Sequence, residues 1–112
     1  MNILLTGGCG YVGSYLTQEL LKDNHKVTVF DTQWFGNPLQ SHINLTNIKG
    51  DVRDIDAIPI EGKDVVIHLA NIANDPAVEL NPTLSWEVNV LAAQQLADKC
   101  VRLGVKHFIY AS

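Results

Sequence analysis

The chain predicts an α/β fold built on a doubly wound parallel sheet. Three observations carry this. Strand and helix signals alternate along its 112 residues. The connections between them are short, which in an alternating chain means parallel strands joined by right-handed crossovers. And residues 64–69 (DVVIHL) are apolar almost throughout, the pattern of a strand buried on both faces rather than on one.

Each element has its own signal. Residues 3–6 form an apolar run stopped by Gly7-Gly8, a first buried strand. From Tyr11 to Lys22 the apolar period becomes helical, with Val12, Leu16 and Leu20 on one stripe and Leu21 beside it. Asn24 suits a left-handed residue just past the helix end. Residues 26–31 (KVTVFD) alternate and are rich in β-branched residues, a second strand. Residues 32–41 hold Gly36-Asn37-Pro38 without a period and form a loop. A third strand is predicted over residues 43–49, and a short helix over 53–58 stopped by Pro59. The strand at 64–69 comes fourth. Asn81 as N-cap and Pro82 at the first helical position open the longest helix. Its stripe runs through Leu84, Val88, Leu91, Ala92, Leu96, Cys100 and Leu103, and Gly104 closes it. Residues 105–111 form the fifth strand. The predicted strand order is 3-2-1-4-5.

Composition narrows the function classes. The length fits one domain with a modest core. A net charge of −4 and the lack of Lys/Arg clusters leave nothing to attract nucleic acid or an anionic membrane. No apolar run approaches the roughly 20 residues of a membrane span. The four histidines (25, 42, 68 and 107) are scattered, without metal-ligand spacing, so no metal is expected. Cys9 and Cys100 form no C-x-x-C pair and are expected as reduced thiols in a cytoplasmic protein. The N-terminus has neither the basic start nor the apolar stretch of a signal peptide.

The chemistry begins at residues 6–13, TGGCGYVG, between the first strand and the first helix. A pyrophosphate needs bare backbone N–H groups, a helix N-terminus and no side chain in the way. Glycine supplies the tight turn and the close approach. Two spacings fit: Gly8, Gly10 and Gly13 as G-x-G-x-x-G, or Gly7, Gly10 and Gly13 as G-x-x-G-x-x-G. Either string alone is weak. A strand before it and a helix after it are the context that makes it a dinucleotide loop of the Rossmann type. The cofactor-binding residues expected here are Gly7, Gly10, Tyr11, Val12 and Gly13. Asp31 ends the second strand about 20 residues beyond the loop, where a carboxylate accepts from ribose hydroxyls and repels a 2′-phosphate. The bland alternatives are a ligand-free glycine turn and an aspartate that only opens a loop. NAD is the cofactor expected. His68, in an apolar strand, is expected as a packed residue and not as a catalyst.

TGGCGYVG (6–13), Asp31, GDVRD (50–54), VIHLA (66–70), Asn89-Val90 and HFIYAS (107–112) together resemble the extended short-chain dehydrogenase/reductase family. The resemblance is to its NAD-dependent epimerases and dehydratases of nucleotide-sugars, and it covers the whole chain. It implies that Asp51 meets the adenine amino group with the Val52 backbone beside it. Leu69 and Ala70 would line the path of the pyrophosphate and nicotinamide ribose, and Asn71 would add a polar contact near the nicotinamide side. Asn89 would orient the active-site end of the long helix, and Ser112 would adjoin the catalytic Ser/Thr position. Without the resemblance, Asp51 is equally a turn former, Asn89 an interior helix residue and Ser112 a chain end. Two positions depart from the family pattern: Ala70-Asn71 stands for Ala-Ala, and Leu91-Ala92-Ala93 for x-Gly-Thr after Asn89-Val90. Both loosen any substrate assignment.

The family's chemistry uses a Tyr-x-x-x-Lys pair in which the lysine lowers the tyrosine pKa for proton transfer. The three tyrosines, Tyr11, Tyr15 and Tyr110, have no lysine four places on. The expectation is therefore a cofactor-binding part, residues 1–112, of a longer enzyme. That enzyme would carry a substrate domain, act on a nucleotide-sugar by transient hydride transfer, and form a homodimer; this chain alone would be inactive. The alternatives are a non-catalytic NAD(P)-sensing module and another NAD-dependent reductase of the same superfamily.

Overall fold

The computed structural model describes residues 1–33, 39–69 and 82–110, and the side chains of all of these except 82–89. Five parallel strands form one sheet: β1 (Asn2–Thr6), β2 (Lys26–Asp31), β3 (Leu45–Lys49), β4 (Val65–His68) and β5 (His107–Tyr110). Their order is β3-β2-β1-β4-β5, as predicted. Among the described residues two helices flank it, α1 (Tyr11–Lys22) and α2 (Pro82–Arg102), with a 3-10 turn at Ile55–Ala57.

Alternation along the strands sorts side chains to two cores. Ile3, Leu5, Val27, Val29, Val65 and Ile67 meet Leu21 of α1 on one face. Leu4, Phe30 and Val66 meet Ala92, Leu96 and Cys100 of α2 on the other, together with Val52, Ile58 and Ile60. All four residues of β4 are buried, as its unbroken apolar run requires. No helix among the described residues is long and apolar enough to cross a membrane.

Three expectations need correction. The α1 stripe is rotated: Gly13, Thr17 and Leu21 are buried, Leu16 and Leu20 only border that core, and Val12 is 63% exposed. Gly13 faces the preceding loop so closely that Val12 must turn outward, and Thr17 can be buried because its hydroxyl donates to the Gly13 carbonyl at 2.7 Å. On α2, Ala92, Leu96 and Cys100 are buried as expected, whereas Leu91 and Leu103 are exposed. The predicted helix over 53–58 shrinks to the three-residue 3-10 turn. Both helix stops hold. Asn24 has φ 65° and Gly104 φ 76°, the left-handed conformation that ends a helix. Asn81, the proposed N-cap, lies outside the described residues.

Candidate functional site

In a parallel α/β sheet the ligand crevice lies at the carboxyl ends of the strands. Several of the candidate residues that are described stand there. Gly7 follows β1 directly, with φ 80°, a conformation glycine takes without a Cβ penalty. Its N–H donates to the Phe30 carbonyl at 2.9 Å and its carbonyl accepts from Gly10 N–H at 3.2 Å. A Cβ on Gly13 would stand 2.1 Å from the Gly7 carbonyl oxygen, so only glycine lets α1 start this close to the turn. A Cβ on Gly10 would meet nothing nearer than 3.5 Å. Gly10 therefore borders open space. This separates the two spacings. Gly7 makes the turn, Gly10 leaves the approach clear and Gly13 packs helix on loop. Gly8 lies against Val29, where a Cβ would come within 2.5 Å.

Gly10 is also the N-cap of α1, and it offers no side-chain acceptor; the first turn holds no acidic residue. The first backbone bond of the helix is Ser14 N–H to the Gly10 carbonyl at 2.8 Å. The N–H groups of Tyr11, Val12 and Gly13 therefore precede the helical ladder and have no intrahelical partner. With the positive end of the helix dipole they form a cradle for an anion. The Tyr11 side chain is 94% exposed, so what Tyr11 offers at the helix start is its backbone N–H.

Asp31 sits at the end of β2 and reaches back to the loop. One carboxylate oxygen accepts from Cys9 N–H at 2.9 Å, the other from Gln33 N–H at 2.7 Å. Gln33 has φ 59°, and its side-chain amide donates to Asn47 at 3.2 Å. The carboxylate is thus fixed beside the glycine loop, one oxygen on the loop and the other on the turn that follows β2. Sequence reasoning missed Gln33 and Asn47; a left-handed glutamine leaves no composition signal.

Asp51 stands just past β3. Gly50 N–H donates to the Asp31 carbonyl at 2.9 Å, and a Cβ on Gly50 would strike the Phe30 ring at 2.3 Å; this contact fixes the chain that leads into Asp51. The Arg53 guanidinium holds the Asp51 carboxyl below the usual carboxylate range, against a smaller opposing effect of burial. The Val52 side chain is in the core. Leu69 N–H donates to the Thr6 carbonyl at 3.0 Å, which places the end of β4 beside the loop. Ala70, Asn71 and Ser112 lie outside the described residues, as does the side chain of Asn89.

His68 is packed, as expected: 1% exposed, with Nδ1 2.6 Å from the Thr6 hydroxyl and its ring stacked on Tyr110. Burial lowers its pKa to about 4. Cys9 and Cys100 are not joined in a disulfide, and burial is the main cause that pushes both thiol pKa values up.

The model of the NAD dependent epimerase/dehydratase family matches residues 3–112. The chain is 32% identical over 117 residues to 3 beta-hydroxysteroid dehydrogenase type 7 of Mus musculus, covering 97% of this chain and 31% of that protein. It is 34% identical over 109 residues to UDP-glucuronic acid decarboxylase 1 of Danio rerio, covering 93% and 25%. Among solved structures, UDP-glucose 4-epimerase of Thermus thermophilus in complex with NAD superposes with a TM-score of 0.82 at 29% identity, over 100% of this chain and 37% of that one. The chain thus spans between a quarter and a third of the length of these curated relatives. The cofactor of the family is NAD.

Proposed function

The chain belongs to the NAD-dependent epimerase/dehydratase family, and from that premise we propose that it binds NAD through its glycine loop. The uncapped start of α1 carries this reading. Three N–H groups without intrahelical partners stand next to Gly10, where a side chain would meet no close neighbour, an arrangement that suits the NAD pyrophosphate. In this reading Asp31 accepts from the adenosine ribose, Leu69 and Ala70 serve the pyrophosphate and nicotinamide ribose, Asn71 adds a polar contact near the nicotinamide, and Asn89 orients the active-site end of the long helix. Bound NAD supplies a reversible hydride acceptor. The residues of this chain hold and orient it.

The substrate class proposed is a nucleotide-sugar, epimerised or dehydrated by transient hydride transfer. It is supported by the UDP-sugar decarboxylase and epimerase relatives. Residues 1–112 form the cofactor-binding part. Sugar recognition and the Tyr–Lys acid–base pair lie in residues outside them, in a cytoplasmic homodimer. A second reading, an NAD-dependent dehydrogenase of a hydroxylated lipid, is favoured by the hydroxysteroid dehydrogenase relative. Titrating the chain with NAD tests the binding claim; no saturable binding rejects it. Offering the full-length protein UDP-, dTDP- and GDP-sugars beside a 3β-hydroxysteroid separates the two substrate classes.

A further inference from the structure

At the amino ends of the strands, away from the glycine loop, the sheet carries a cleft of about 260 Å³. Its origin lies in the β3–β4 connection. Parallel strands are usually joined by a helix that covers the sheet. Here the connection holds only the three-residue 3-10 turn, followed by a turn in which Lys63 N–H donates to the Ile60 carbonyl at 3.2 Å. Lys26, Thr28 and Phe30 share one face of β2, and the register sets Asn2 beside Lys26 and Thr46 beside Thr28. Phe30 joins the core under α2. Thr28 and Thr46, nearer the amino ends, line the open cleft instead.

Six of the eight lining residues have polar side chains and none is acidic. Two of them are Lys26 and Lys63, and neither ammonium has an ion-pair partner among the described residues. Asp64, next to Lys63, does not line the cleft; its Oδ2 accepts from the Asn2 N–H at 2.9 Å. Two unpaired cations in a concave polar site focus a field for an anion, in a chain whose net charge is −4. Lysine binds phosphate as a point charge, and the Thr28 and Thr46 hydroxyls and the Asn2 and Asn44 amides add neutral donors and acceptors. The volume lies below the roughly 300–1,000 Å³ of sites for drug-sized ligands, so the ligand is small. We propose that this cleft binds a small phosphate monoester, with Lys26 and Lys63 on the phosphate and the threonine and asparagine side chains on the hydroxyls of its carbon part. The site is distinct from the glycine loop. The length of β1 from Asn2 to Thr6, about 13 Å, separates the two, and the inference does not rest on the NAD reading.

Calorimetric titration of the full-length protein with glycerol 3-phosphate, and with glycerol as the uncharged control, tests it. Glycerol 3-phosphate should bind saturably and glycerol should not. Lys26→Ser and Lys63→Ser should each weaken binding about tenfold, the scale of one hydrogen bond to a charged group, with the thermal midpoint nearly unchanged. Lys22→Ser makes the same charge change on the exposed side of α1 and should leave the affinity unaltered. So should Gly10→Val, whose side chain stands at the other end of the sheet. The proposal is overturned by no saturable binding to the wild type, by unchanged affinity in Lys26→Ser and Lys63→Ser, or by an equal loss in Lys22→Ser. Loss of binding in a folded Gly10→Val protein overturns it too; the phosphate then sits at the glycine loop, and the NAD reading stands.

Discussion

The Thr6 hydroxyl and the His68 imidazole, 2.6 Å apart and both buried, join the ends of β1 and β4 directly beneath the glycine loop. Thr6 is the last residue of β1, and Leu69, one residue past His68, donates back to its carbonyl. This side-chain bond therefore adds a second tie to the backbone pairing that sets the floor of the site.

Burial holds His68 neutral, with its pKa moved from 6.5 to about 4. In the unfolded chain it takes a proton near 6.5. The folded state binds fewer protons between these values, so stability is full above pH 6.5 and is lost as pH falls toward 4, by up to about 3 kcal/mol. Urea unfolding at pH 5 and 7.5 should show this loss in the wild type and a flatter dependence in His68→Gln. Equal slopes would mean that His68 is not held neutral by the fold.

Asp31 should make NAD preferred over NADP by about tenfold or more, since a 2′-phosphate would face its carboxylate and displace a ribose bond. Asp31→Asn should narrow the ratio. It should also weaken NAD itself, because the Cys9 and Gln33 N–H groups both rely on the carboxylate. Competition titrations with the two dinucleotides measure both effects; tighter NADP binding by the wild type would refute the assignment.

Leu96 is 1% exposed between α2 and the sheet. Leu96→Ala should destabilise the chain by about 2–5 kcal/mol, whereas Leu91→Ala, on the exposed side of the same helix, should change stability by less than about 0.5 kcal/mol. Denaturant midpoints distinguish them, and similar losses would place α2 in another orientation.

The sheet was legible because its signals are local. The apolar run of β4, the stops at Asn24 and Gly104 and the glycines after β1 each act through a few neighbouring residues. The orientation of α1 was not, because Val12 is apolar in sequence and exposed only through the tertiary contact of Gly13 with Gly7. Asp31 and Asp51 stood out as residues, but their settings did not. The Gln33 turn and the Arg53 guanidinium reach them from only two residues away, but neither residue type signals that geometry, and Asn47 meets Gln33 through the β2–β3 pairing, which no spacing encodes. His68 could be read as packed from its strand, while its bond to Thr6, across the β1–β4 register, could not.

The most direct measurement is NAD titration of the wild type beside Gly10→Val and Gly13→Ala, with folding followed by circular dichroism. At Gly10 a side chain has room within the fold but fills the approach to the helix N-terminus. Gly10→Val should therefore stay folded and lose at least about 100-fold in affinity, the scale of two or more backbone bonds to a charged group. At Gly13 the clash is with backbone, so Gly13→Ala should lose stability as well as binding. A folded Gly10→Val chain that binds NAD as tightly as the wild type would contradict the account.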